Sequence, residues 1–225
     1  VLGISHGQTR RRFALTAKDF QTPLGDVPAD QEFLRRLRER CSHDFFEDEF
    51  AHRGEHSVEF QALFLRYLYP SRPDLAIVPV LCALPPGAYA DDSLGQDAEV
   101  ADFLAALGET LAGYGEEACC VAAVDLAHVG RRFGQELDLN PEILARLERD
   151  DRAMIERILA WDAEGFFHGI REEHDRRNVC GVPAIYCLLR LLEGRAESSR
   201  LLGYEQAVEQ ETQLVVSFMA AAFYG

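Results

Sequence analysis

The 225-residue chain lacks any run of roughly 20 apolar residues, the length a helix needs to cross a bilayer. Its longest such run, near Val215 to Phe223, is short and broken by Ser217. The chain therefore reads as soluble, with no membrane partner. Basic residues are scarce. The 23 Lys and Arg face 38 Asp and Glu, and the resulting net charge of −15 repels phosphate backbones, which argues against nucleic acid as a partner. A Pro/Gly/Ser-rich linker is also missing, and 48% apolar residues can fill one large core, so a single domain over residues 1–225 is expected. Cysteines number six, without the compact spacing of a disulfide framework. Several sit in apolar runs as free thiols do, a pattern that suits a reducing cytoplasm. An initiating Met is absent: Val1-Leu2-Gly3-Ile4 reads as the end of a buried strand, so an upstream strand and loop are expected to precede it.

What is present alternates strand and helix signals. Phe13 to Thr16 is a short strand candidate after the basic run Arg10-Arg11-Arg12, which reads as a solvated face, and Thr22-Pro23-Leu24-Gly25 is a turn. Asp30 to Arg40 and Ser57 to Tyr69 repeat apolar residues at helical spacing. Leu75 to Leu81 and Cys119 to Val124 are unbroken apolar runs expected as strands covered on both faces. Ala98 to Tyr114 is helical in pattern. Asn140-Pro141 opens a long helix toward Trp161, Asp162 caps another through His174, and Pro183 opens a further one. Strands near Leu201 to Tyr204 and Gln213 to Phe223 close the chain. This alternation predicts an α/β fold: a three-layer α/β/α domain around a largely parallel or mixed sheet.

In such folds ligands gather beyond the carboxyl ends of strands. His6 follows the first strand, Asp125 and His128 follow the Cys119–Val124 run, and His56 and Cys180 lie in loops just before helices. Two imidazoles and a thiolate from distant points make a metal site more plausible than any local motif here. A helix amino end also favours thiolate over thiol, which would make Cys180 the most ligand-competent cysteine. A literal motif competes: His52-Arg53-Gly54-Glu55-His56 fits H-x-x-E-H, the inverted zinc peptidase pattern. Gly54 costs about 1 kcal/mol inside a helix relative to Ala, and helical periodicity starts only after Ser57, so the pentapeptide is expected to span a loop and a helix start.

Gly3-Ile4-Ser5-His6, Thr22-Pro23-Leu24-Gly25, Glu55-His56-Ser57-Val58-Glu59, Asp125-Leu126-Ala127-His128-Val129-Gly130, Arg132-Phe133 and Cys180-Gly181 stand in the order seen in the Memo family. The chain resembles that family over nearly its whole length. The family is in turn similar to the catalytic subunit of class III extradiol ring-cleaving dioxygenases, and bacterial members are labelled component B of the AmmeMemoRadiSam system. The resemblance implies that His6, His56 and Cys180 are metal ligands, Cys180 standing where the dioxygenases place a carboxylate. It makes His128, with Asp125 beside it, the pocket residue that handles protons, and Thr22 to Gly25 a wall of that pocket. Glu59 would orient His56. It also implies non-haem iron or copper as the cofactor, with zinc as a further option, a small aromatic or peptide ligand, and a radical SAM partner enzyme.

Two His and a carboxylate on ferrous iron leave room for a catecholate and dioxygen. A softer thiolate shifts preference toward copper(I), zinc or more reduced iron, so the resemblance implies redox or oxygen chemistry rather than ring cleavage as such. Two alternatives stay open. One is a module that keeps the dioxygenase fold without catalysis and binds a peptide or partner enzyme. The other is a zinc peptidase using His52, Glu55 and His56. Each residue also has a plain structural role to set against these: His6 bonding backbone near a strand end, His56 capping a helix, Cys180 as a packed thiol, and Asp125 with His128 as an ordinary hydrogen-bonded pair.

Overall fold

The computed structural model describes residues 1–84, 94–114 and 118–225. These group into two compact units, the first ending at Ala123 and the second formed by Val124–Gly225. The α/β class expected from the sequence is what the structure shows, with helices set beside short strands in the first unit and beside short and long strands in the second.

The first unit contains β1 (Leu2–Ile4), β2 (Phe13–Leu15), α1 (Gln31–Arg40), α2 (Ser57–Leu68), β3 (Val80–Cys82) and α3 (Ala98–Ala112). Its sheet is mixed, in the order β1-β3-β2, with β1 parallel and β2 antiparallel to β3. The Leu75–Leu81 run pairs only at its end, in β3, while Ile77 forms a lone bridge to Ala29. Cys119 to Val124 likewise yields one bridge, Ala122 to Leu2, instead of the expected strand. Apolar runs predict burial; a ladder also needs a partner of matching length. Helix starts follow their caps closely. Asp30 accepts from the Phe33 amide at 2.9 Å, and Asp97 accepts from Glu99 and Val100. The arginine run is no free solvated face. Arg11 and Arg12 clamp Glu99 and Asp97 at the start of α3.

Ala14, Val27, Val58, Ala62, Ile77 and Leu81 form one buried cluster that seats α2 on the sheet. Phe13 stacks on Phe103 at 3.9 Å between ring centroids, and Phe45 meets both edge-on, which fixes α3.

The second unit contains β4 (His128–Gly130), α4 (Pro141–Leu159), α5 (Ala163–Glu172), α6 (Val182–Leu192), β5 (Ser198–Glu209) and β6 (Leu214–Tyr224). Its sheet is antiparallel, in the order β4-β6-β5. Asn140 caps α4 through the Glu142 and Ile143 amides, both at 3.0 Å, with Pro141 at the first helical position. Asp162 caps α5 at the Gly165 amide. Arg177 and Asp151, both buried, are ion-paired, and Tyr204 donates to Asp151 at 2.8 Å, tying α4, β5 and the segment before α6 together. Among the described residues no helix is long and apolar enough to cross a membrane.

Candidate metal centre

The first cluster is built where β1 ends and α2 begins. Ser57 Oγ accepts from the Ile4 amide at 3.1 Å and donates to the Ile4 carbonyl at 3.0 Å, so the helix start is stitched to the strand end. Gly3 permits this approach: a Cβ there would stand 2.5 Å from Ser57 Oγ and 2.8 Å from Val58 Cγ2. The residues just beyond, His6 on one side and His56 on the other, are thereby brought together. Their rings stack at 5.3 Å between centroids with 12° between planes.

Between them lies Glu55, only 7% exposed. Its carboxylate accepts from the backbone amides of His6 (2.9 Å), His56 (2.9 Å) and Ser57 (3.2 Å), and it sits at the positive end of α2. His6 Nδ1 lies 3.0 Å from Glu55 Oε2, and His56 Nδ1 lies 3.2 Å from Oε1. Burial pushes the Glu55 carboxyl pKa up, but the His6 amide and ring and the Ser57 amide outweigh it, and the net result is below the ordinary carboxylate range. Glu55 is thus a charged group with its oxygens already engaged. An imidazole that gives its Nδ1 proton to such a carboxylate presents the Nε2 lone pair outward, the arrangement in which metal-bound histidines are held. Both rings are about half exposed, so that nitrogen is open to an ion. The donor set of this chain fits a metal.

Sequence reasoning missed this role. It gave Glu55 a chemical role only inside the peptidase motif, though the residue also stands in the family segment, and gave the orienting part to Glu59, which is exposed on α2 and makes no side-chain hydrogen bond among the described residues. The motif itself does not assemble as a peptidase site. His52 sits in a 3₁₀ turn, Glu49–Gly54, with Nε2 on the Ala14 carbonyl at 2.9 Å, and it stands outside the grouped donors His6, Glu55 and His56. Nor does the His56 ring cap α2: the residue holds the cap position without a side-chain hydrogen bond.

The second unit brings Asp125, His128 and Cys180 together, their donor atoms all within 4.8 Å of one another. Ser217 holds the Asp125–His128 segment: its Oγ accepts from the Ala127 amide at 3.0 Å, and its backbone pairs with Leu126 and Ala127. The His128 amide donates to the Arg177 carbonyl at 2.7 Å, and Asn178 Nδ2 donates to the His128 carbonyl at 3.0 Å. Around that loop His174, Asp175 and Asn178 all have positive φ, a concentration of backbone strain of the kind that persists at functional sites. Gly181 lets the Cys180 segment press on Asp125, since a Cβ would be 2.6 Å from the Asp125 carbonyl oxygen.

His128 Nε2 stands 3.7 Å from Asp125 Oδ2, too far for a hydrogen bond, so the two do not form the ordinary bonded pair. Its Nδ1 is buried without a partner among the described residues, and Phe133 packs edge-on against the ring. Cys180 departs from expectation. Burial pushes its thiol up to about 11, more than the hydrogen bond to the Asp125 carbonyl lowers it, so the helix amino end does not make it a thiolate on its own. A bound cation would have to do so.

Geometry of this kind defines an α/β protein with two stacked imidazoles around a buried carboxylate at one strand-to-helix junction and an Asp/His/Cys group at another. A family model described as Memo-like protein matches residues 1–222. The chain therefore belongs to the Memo family. It is 27% identical over 225 residues to a MEMO1 family protein of Aquifex aeolicus, covering 100% of this chain and 55% of the relative. To a MEMO1 family protein of Pyrococcus horikoshii it is 30% identical over 193 residues, covering 84% of this chain and 62% of the relative. One from Thermococcus kodakarensis is 30% identical over 209 residues, covering 90% and 67%. The chain thus spans a little over half the length of the first of these relatives.

Proposed function

We propose that this chain binds a redox-active first-row metal ion, iron or copper, through His6 and His56, with Cys180 as the third ligand that the family pattern supplies. The observation that supports this most is the buried Glu55 carboxylate, which is hydrogen-bonded to the His6 ring and lies beside the stacked His56 ring, both rings being half exposed. When bound, the metal supplies one-electron or oxygen chemistry, and the soft sulfur donor favours lower oxidation states. The chain's own residues do the rest. Glu55 holds the His6 ring and faces the His56 ring, His128 exchanges a proton with the bound ligand, and Asp125 supplies a carboxylate beside it. A redox role in a reducing cytoplasm, on a small aromatic ligand, completes the proposal.

Cobalt(II) loading tests the ligand set. A tetrahedral site with sulfur should give a thiolate charge-transfer band in the near ultraviolet and intense visible transitions. The ultraviolet band should vanish in Cys180→Ser; a spectrum indifferent to that substitution would remove Cys180 from the set.

A second reading is favoured by the exposed Phe60, Phe64 and Tyr67 along one side of α2. Apolar surface of this sort suits a partner-binding module that turns nothing over. It predicts tight association with a radical SAM enzyme and no loss of that association in His56→Ala.

A further inference from the structure

Asp151, in the middle of α4, is fully buried and stands outside the grouped donors Asp125, His128 and Cys180, yet its carboxylate meets the supports of both segments that carry them. Arg177, also buried, is the first support, with Nη1 ion-paired to Asp151. Its carbonyl accepts the His128 amide at 2.7 Å, and Asn178, next in the chain, donates to the His128 carbonyl at 3.0 Å. Cys180 follows two residues later, its thiol 3.8 Å from the Asp125 carbonyl oxygen.

Ser217 of β6, fully buried, is the second support. Its oxygen accepts from the Ala127 amide at 3.0 Å, and its hydroxyl donates to the Asp151 carboxylate. The Tyr204 hydroxyl donates to Asp151 Oδ2 at 2.8 Å, so the buried carboxylate has a partner on every side that it needs. Glu173 already pairs with Nε and Nη2 of the Arg177 guanidinium. What Asp151 alone adds is the link from Arg177 across to Ser217.

We infer that Asp151 is a positioning residue for the Asp125, His128 and Cys180 group, holding the segment before α6 and the segment beside β6 in one register. Side chains carried on loops keep a fixed geometry only where the backbone beneath them is locked by such bonds. The link spans α4, β6 and both loops through four side-chain contacts, and all of it lies within the second unit. Its bearing on metal chemistry rests on the function proposed above, in which Cys180 is a ligand; the placement of Cys180 and His128 does not.

Alkylation of metal-free protein by iodoacetamide, read cysteine by cysteine with peptide mass spectrometry, separates placement from stability. Cys180 is half-buried, and Cys187, buried on α6 of the same unit, reports global opening. Asp151→Asn keeps the shape of the side chain and removes its charge. Cys180 should then react about tenfold faster, the scale on which one hydrogen bond to a charged group acts, while Cys187 reacts as in the parent protein. Ser217→Ala cuts the other link by deleting one hydroxyl and should do the same, which keeps the test open if Asp151→Asn does not fold. After cobalt(II) loading, the thiolate band should weaken in both variants. A parent protein that binds no cobalt through Cys180 would end the metal reading and leave the alkylation result standing. Cys180 reacting at the parent rate in either folded variant, or rising only in step with Cys187, would overturn the inference.

Discussion

At the scale of single residues, Glu55 governs the candidate centre. A carboxylate that accepts three backbone amides and faces two imidazoles is a positioning group, and outer-shell partners of this kind set metal affinity by about 10- to 100-fold. Glu55→Gln should therefore weaken metal binding by about that factor while His6 and His56 remain, measured by competition against a chromophoric chelator. Affinity unchanged in the variant would show that the imidazoles hold themselves. The positions of the candidate residues at element ends were legible in the sequence, and their neighbours were not. His6, His56, Asp125, His128 and Cys180 could be picked out by their places at element ends. The roles of Glu55 and Ser57 could not, because a buried carboxylate and a hydroxyl bridging to β1 depend on contacts 49 and 53 residues apart. Cys180 shows the same limit. Position before a helix pointed to a thiolate, and burial pushed the other way.

At the scale of elements, helices were legible because their ends are written locally, in Asp30, Asn140-Pro141 and Asp162. Strands were less so. Cys119 to Val124 has the composition of a central strand, yet pairing is settled by what lies alongside, and only Ala122 finds a bridge. Two tethers between elements carry predictions. Asp151 is fully buried and meets Arg177 and Tyr204, so Asp151→Ala leaves a buried guanidinium without that partner and should cost about 3–5 kcal/mol, seen as a lower denaturant midpoint. A midpoint equal to that of the parent protein would mean that Glu173 alone satisfies Arg177. On α3, Asp102 accepts from the Ser42 and His43 amides and from the His43 ring at 2.8 Å. Burial raises its carboxyl pKa, and the His43 and Ser42 hydrogen bonds outweigh that and lower it. A lowered folded-state pKa means stability that is fully present above the unfolded value of about 3.9 and lost as pH falls through the folded one. Acid titration of the midpoint should show this loss, and Asp102→Asn should be less stable at neutral pH with a shallower acid slope. A variant with the same slope would assign acid sensitivity elsewhere.

At the scale of the whole molecule, the α/β class and the family were legible from motif order, because six short segments in the right sequence constrain far more than any one. The partition into two compact units was not, since no linker composition marks Ala123 to Val124. The charge of −15 is a property of the entire chain and sets which ligands approach it: a cation is drawn in from any direction, which suits a protein whose central claim is metal binding. The most direct test of that claim is metal content by mass spectrometry after anaerobic loading with ferrous iron or cuprous copper, on the parent protein beside His6→Ala, His56→Ala and Cys180→Ala. The account predicts one equivalent in the parent and none in the three variants. Metal retained in both histidine variants, or none bound by the parent, would contradict it.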